Sequence, residues 1–204
     1  MIRWSSENAQ SPAIEASAVP KLTVETFDNH IYFYSGVDPD RCLALVKTLR
    51  ELDAKLRNEH SMRGLPPTHP LTPIWLHIES PGGGLFTAFG VASQIEKLAT
   101  PVYSIVEGYA ASAATIISCA CHRRFISPNG FMLIHQLSSF HWGKYEEFKD
   151  EMKLLDMAMK NLVSFYARRT RIPEETVMEF LKRDTWFNAD ECIGNGLVEG
   201  ICSW

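Results

Sequence analysis

Apolar positions along the chain alternate between short unbroken runs and stretches of helical spacing. Ile74-Trp75-Leu76-His77-Ile78, Val102-Tyr103-Ser104-Ile105-Val106 and Phe131-Met132-Leu133-Ile134-His135 are compact, largely apolar runs with flanking Gly or Pro, the pattern of buried strands. Leu43, Val46, Leu49, Leu52 and Leu56 recur at helical intervals after Asp38-Pro39, and Met152, Leu155, Met159, Leu162 and Tyr166 form one stripe of a long helix over about 144–168. Shorter helices are expected from about Leu85 to Leu98, Ala111 to Ala120, Ile172 to Leu181 and Ala189 to Asn195. Leu22 to Phe27 and Ile31 to Tyr34, divided by Asp28-Asn29, read as a hairpin; the strand from Val102 is expected to close at Gly108; Arg124-Phe125-Ile126 adds a further strand. Asn58 to Thr72, dense in Gly, Pro and His, reads as a loop. Strands that alternate with helices imply a parallel sheet with helical crossovers, an α/β fold.

Composition narrows the picture. The 204 residues suffice for one domain with a full core, here 21–204, preceded by a flexible arm over 1–20 that is rich in Ser, Ala, Glu and Pro. A net charge of −4 argues against a general nucleic-acid or membrane-surface binder, and no apolar run approaches the ~20 residues that span a bilayer. The first residues lack the apolar stretch of a secretory signal. Five irregularly spaced cysteines, Cys42, Cys119, Cys121, Cys192 and Cys202, fit reduced thiols in a packed interior. Cys119-x-Cys121-His122 lacks the second pair of ligands that a structural zinc site needs.

Chemistry concentrates at strand ends. Ser112 sits where the Val102 strand hands over to a small-residue helix, so its neighbours' N–H groups and the positive end of the helix dipole face outward. A serine there is commonly a cap; it is also where a nucleophile would find amide donors for a developing oxyanion. Glu79-Ser80-Pro81-Gly82-Gly83-Gly84 forms a second strand-to-helix turn. No Lys-Ser/Thr follows it, so it is no P-loop, and it does not fit G-x-G-x-x-G. An oxyanion hole or a plain tight turn remain. A serine nucleophile needs a base, and of seven histidines His135, at the end of an apolar strand, is the best placed. The acid that would orient it cannot be chosen from 24 by chemistry alone.

Six segments in order settle on a resemblance: Ser80-Pro81-Gly82-Gly83, Gly108-Tyr109-Ala110-Ala111-Ser112, Phe125-Ile126-Ser127-Pro128-Asn129, Leu133-Ile134-His135-Gln136, Arg183-Asp184-Thr185-Trp186-Phe187-Asn188-Ala189 and Asn195-Gly196-Leu197-Val198. Together they resemble the ClpP family, the proteolytic subunits of the Clp proteases, over about Ile74 to Val198. The resemblance implies a ClpP/crotonase-like spiral of βαβ units with a protruding handle helix, the handle region lying at about 137–170. It implies Ser112 as nucleophile, His135 as general base, Asp184 as its orienter, and the N–H groups of Gly83 and Ala113 as oxyanion hole. The function implied is that of a cytoplasmic serine endopeptidase acting on peptides or unfolded proteins inside a homo-oligomeric chamber, a heptameric ring or two stacked rings, without metal or cofactor.

The chain also departs from the family. Leu137-Ser138-Ser139-Phe140-His141-Trp142-Gly143, where the family has a glycine-containing strand that pairs with substrate, is richer in aromatics; an edge strand is still expected there. Met1 to Pro20 does not resemble the apolar axial segment of members that dock an AAA+ unfoldase, which argues against such a partner. Asn58 to Thr72 reads as an insertion. These departures fit a divergent member, including a phage-encoded one in a host cytoplasm. Three rival readings share the fold or the ring: an acyl-CoA enzyme of the crotonase type, which needs no Ser-His-Asp set; a capsid-maturation or signal-peptide-type peptidase; and a non-catalytic ring-forming subunit.

Overall fold

In a computed structural model, residues 24–66 and 68–202 are described; the arm read over 1–20 lies outside them. The chain opens with β1 (Glu25–Phe27) and β2 (His30–Phe33), an antiparallel pair joined by a tight turn in which Asp28 adopts φ 56°. Helix α1 (Pro39–Met62) starts where Asp38 caps it by accepting from the Arg41 N–H at 3.0 Å. Then follow β3 (Ile74–Ser80), α2 (Leu85–Ile95), β4 (Val102–Ala111), α3 (Ala113–Ala120), β5 (Arg123–Ile126), β6 (Phe131–Ile134), α4 (Tyr145–Arg169), α5 (Glu174–Leu181), β7 (Thr185–Phe187), α6 (Ala189–Gly194) and β8 (Gly200–Ile201).

Strands β2, β3, β4 and β5 are mutually parallel, as the alternation of strands and helices requires. Their inward positions, among them Ile31, Phe33, Leu76, Ile78, Val102 and Val106, are fully buried. Helices α1, α2 and α3 form consecutive contacts beside this sheet, so the core lies between the two layers.

Several sequence expectations are corrected. Helix α1 reaches Met62, into the stretch read as loop, and its buried face is Cys42, Leu45, Leu49, Leu52 and Leu56, with Leu43 left 54% exposed. Only its N-terminal part differs from the expected stripe, with Cys42 and Leu45 buried in place of Leu43 and Val46; further along, the buried side also carries Asp53, whose carboxylate accepts from the Thr100 N–H at 2.8 Å. Strand β4 does not stop at Gly108. Its first half pairs with β5 (Val106↔Ile126) and its second half with β6 (Ala111↔Leu133), so a second partner carries it on to Ala111. Strands β7 and β8 lie outside the expected set; they are short, and each exists through its ladder to β6 or β5. Leu137–Gly143 forms no strand, for no ladder partner lies beside it among the described residues. The stripe on α4 is buried only in its C-terminal half, at Ala158, Leu162, Val163, Phe165 and Tyr166; Met152 is 56% exposed.

Candidate active site

Two ladder pairings bring the candidate residues together. Ala111 of β4 pairs with Leu133 of β6, and Ile134 of β6 pairs with Thr185 of β7. Ser112 follows Ala111, His135 follows Ile134 and Asp184 precedes Thr185, so all three stand at adjoining strand ends. The Ser112 N–H donates to the Leu133 carbonyl at 2.8 Å, which ties the serine directly to the strand that delivers the histidine.

Ser112 adopts φ 55°, ψ −127°, outside the regions open to ordinary L-residues. Although it occupies the N-cap position of α3, its side chain makes no capping bond. Its Oγ instead lies 2.8 Å from Nε2 of His135. For the hydroxyl to donate, Nε2 must be unprotonated and the ring proton must sit on Nδ1. That nitrogen faces Oδ1 of Asp184 at 3.5 Å, longer than a normal hydrogen bond. The Asp184 side chain is 74% exposed, whereas His135 is largely covered.

The glycine turn after β3 is pinned from one side. The Val37 N–H donates to the Gly82 carbonyl and the Gly84 N–H to the Val37 carbonyl, both at 2.8 Å. Gly82 has φ 85°, and a Cβ there would strike the Ala111 carbonyl and stand 2.8 Å from Ser112 Cβ and 3.0 Å from the Ala113 nitrogen. A Cβ on Gly83, at φ 148°, would run into the Val37 carbonyl. The backbone therefore passes closer to Ser112 than any side chain would allow. The N–H groups of Gly83 and Ala113 are spent on no hydrogen bond among the described residues, and both residues line one cavity with Ser112 and His135. That cavity has a volume of about 240 Å³ and is walled by Leu85, Phe86, Ile116, Leu154, Leu155 and Leu162.

Some participants carry no clear sequence signal. Val37 clamps the glycine turn through its backbone alone. Thr115, a lone threonine in an apolar helix, donates its hydroxyl to the Ser112 carbonyl at 2.6 Å, and Tyr166 of α4 meets that hydroxyl at 2.5 Å. Helix α4 supplies a whole wall of the cavity from residues remote in sequence.

The other candidates stand apart. His77 hydrogen-bonds His30 and Glu107 within the sheet, away from this cavity. All five cysteines are buried, and none is joined in a disulfide. Burial pushes the thiol of Cys119 up to about 11 and that of Cys121 to about 12, so both stay protonated, and His122 Nδ1 accepts from the Val102 N–H. No group of His, Cys, Asp and Glu among the described residues could hold a metal ion, and no helix among them is long and apolar enough to cross a membrane.

Comparison with known proteins gives a consistent answer. The family model for Clp protease matches residues 30–203. ATP-dependent Clp protease proteolytic subunit 1 of Chlamydia caviae is 34% identical over 138 residues, 66% of this chain and 72% of that protein. Proteolytic subunit 2 of Treponema denticola is 37% identical over 131 residues, 63% of this chain and 66% of that protein. Among solved structures, an asparagine-to-aspartate mutant of ClpP1 from Listeria monocytogenes superposes with a TM-score of 0.73 at 21% identity, covering 87% of this chain and 92% of that one, a likeness of fold.

Proposed function

Because the chain belongs to the Clp protease family and is a serine-type endopeptidase, we propose that Ser112 is its nucleophile, His135 its general base and Asp184 the group that orients His135. His135 Nε2 takes the Ser112 proton as Oγ attacks the peptide carbonyl, and returns it to the leaving amine. Water then hydrolyses the acyl-enzyme by the same route. The oxygen that turns negative in each tetrahedral intermediate sits between the N–H groups of Gly83 and Ala113, which are fixed before substrate arrives and need no reorganisation. The observation that carries this reading is the 2.8 Å contact between Ser112 Oγ and His135 Nε2, made by a serine held at positive φ. The triad residues need no metal or cofactor.

The substrate reading follows from the cleft: an extended peptide lies across Ser112 with one side chain in the cavity beside it. The working form is a ring of identical subunits, a heptamer or two stacked rings, enclosing a chamber for unfolded proteins or peptides. Tyr145, Phe148, Met152 and Met157 of α4 are large, apolar and exposed in the single chain, a surface that assembly would cover. The relatives are named as ATP-dependent proteolytic subunits. This chain has no P-loop, so ATP use here would fall to a separate AAA+ unfoldase in the same cytoplasm.

The test is covalent. A fluorophosphonate should label Ser112 in the assembled protein and fail in Ser112→Ala and His135→Ala. Peptide hydrolysis should fall by about four orders of magnitude or more in Ser112→Ala, with the assembly intact by light scattering. Undiminished cleavage by that variant overturns the assignment.

A further inference from the structure

The cavity beside Ser112 holds an acid that the proposed chemistry does not use. Glu151, Leu154, Leu155, Ala158 and Leu162 fall at intervals of three and four on α4, so they share one face of the helix, and all five line the cavity. Glu151 is partly buried, and its Oε1 accepts from the Ser139 hydroxyl at 2.8 Å. It is the only acid among the lining residues, which include no Lys or Arg. No ion pair engages it among the described residues, whereas its neighbours Asp150 and Glu146 on α4 are paired with Lys153 and Lys149.

We infer that Glu151 selects substrates with lysine or arginine immediately before the scissile bond. This rests on the proposed peptidase reading and names the substrate class of that site. A side chain entering the cavity displaces water from the Glu151 carboxylate. A leucine or norleucine offers nothing in return and leaves a charge desolvated. A glutamate adds a like charge. Lysine and arginine lay an aliphatic stem along Leu154, Leu155 and Ala158 and bring a cation to the carboxylate. Ser139 holds Glu151 in place by one oxygen, and the other is left for the incoming cation.

Fluorogenic peptides identical but for lysine, arginine, norleucine or glutamate at that position test it on the assembled wild-type protein. Norleucine matches the lysine stem without the charge, so the lysine-to-norleucine ratio of kcat/KM isolates the electrostatic part. The ratio should be about 10 or more in wild type, the size expected of one charge-assisted contact. It should fall to about 1 in Glu151→Gln, which keeps the shape and can still accept from Ser139. In Glu151→Lys the glutamate peptide should become better than the lysine peptide. A wild-type ratio at or below 1, or one that Glu151→Gln leaves unchanged, overturns the inference while the peptidase reading stands. Cleavage that persists in Ser112→Ala, or no cleavage of any of the four peptides by wild type, overturns that reading and this inference with it.

Discussion

The hydroxyl of Tyr166 on α4 lies 2.5 Å from that of Thr115 on α3, and the Thr115 hydroxyl in turn donates a hydrogen bond to the Ser112 carbonyl. Thr115 has a single hydroxyl hydrogen, so Tyr166 must be the donor. Burial pushes the Tyr166 phenol up, which keeps it protonated for that role. Thr115→Val should cost about 1–3 kcal/mol, because it strands the buried phenol and removes one bond from the Ser112 carbonyl, and Tyr166→Phe about 1 kcal/mol. The double variant should cost less than the two losses added. Denaturant midpoints measure all three, and strict additivity would disprove the coupling. If the link holds Ser112 in its unusual backbone geometry, Thr115→Val should also lower kcat with little change in KM.

The contact between His135 and Asp184 is long and open to solvent, so it is worth less than the contact between His135 and Ser112. Asp184→Asn should therefore lower kcat by at least about tenfold less than Ser112→Ala or His135→Ala does. Steady-state kinetics on the three variants decide this. Equal losses would mean that assembly closes Asp184 onto the ring.

Two glycines give opposite expectations for one methyl group. Gly82→Ala places a Cβ against Ser112 and in front of the Ala113 N–H, at a φ that alanine resists. It should cut kcat by about 10²-fold or more, the size of losing one oxyanion donor. In Gly90→Ala the added Cβ meets open space within α2. That change should raise stability by about 0.5–1 kcal/mol. Thermal melts and turnover of both variants provide the check.

Mild acid should loosen the outer face of the sheet. His30 stacks on Trp75, and its Nδ1 lies 2.9 Å from His77, whose other nitrogen meets Glu107. Burial, and then the neighbouring His77, hold the His30 pKa below its usual 6.5, with Asp28 pulling weakly the other way. Between the two pKa values the unfolded chain binds more protons than the folded one, so stability rises with pH in that window and is lost as pH falls from 6.5 through the folded value. The melting temperature should drop as pH is lowered from about 7 to 5, and His30→Gln should flatten the decline. An unchanged slope in the variant would remove His30 as its source.

What the residues reveal unaided is local. The strand-to-helix turn at Ser112 and the strand-end position of His135 follow from short-range patterning, since a compact apolar run followed by small residues has few other ways to fold. Asp184 is reached only through family resemblance, because its partner is brought near by β7, a three-residue strand with no signal apart from its ladder to β6. Glu151, and the hydroxyl contact that Tyr166 makes with Thr115, are hidden for another reason. Helical periodicity identifies the apolar stripe of α4 but not where the body beneath it ends. The stripe therefore includes Met152, which stands exposed, and of the wall that faces Ser112 it catches Leu155 and Leu162 but passes over Glu151, Leu154 and Ala158. Similarly, apolar spacing places Leu43 inside because the steps of three through Leu43, Val46, Leu49 and Leu52 drift around the helix, and the buried face runs through Cys42 and Leu45 instead.

The separation of Ser112 and His135 is inherited from a backbone ladder and not tuned by side chains, and this makes the site's precision quantised. Stretching or trimming the connection between α3 and β6 leaves the two residues where they are so long as Ala111 still faces Leu133. A slip by a single rung, by contrast, would carry the imidazole some ~3.3 Å along and throw it to the other side of the sheet. Such a scaffold absorbs insertions and deletions in its loops without retuning, and has no partly working intermediates between right and wrong registration.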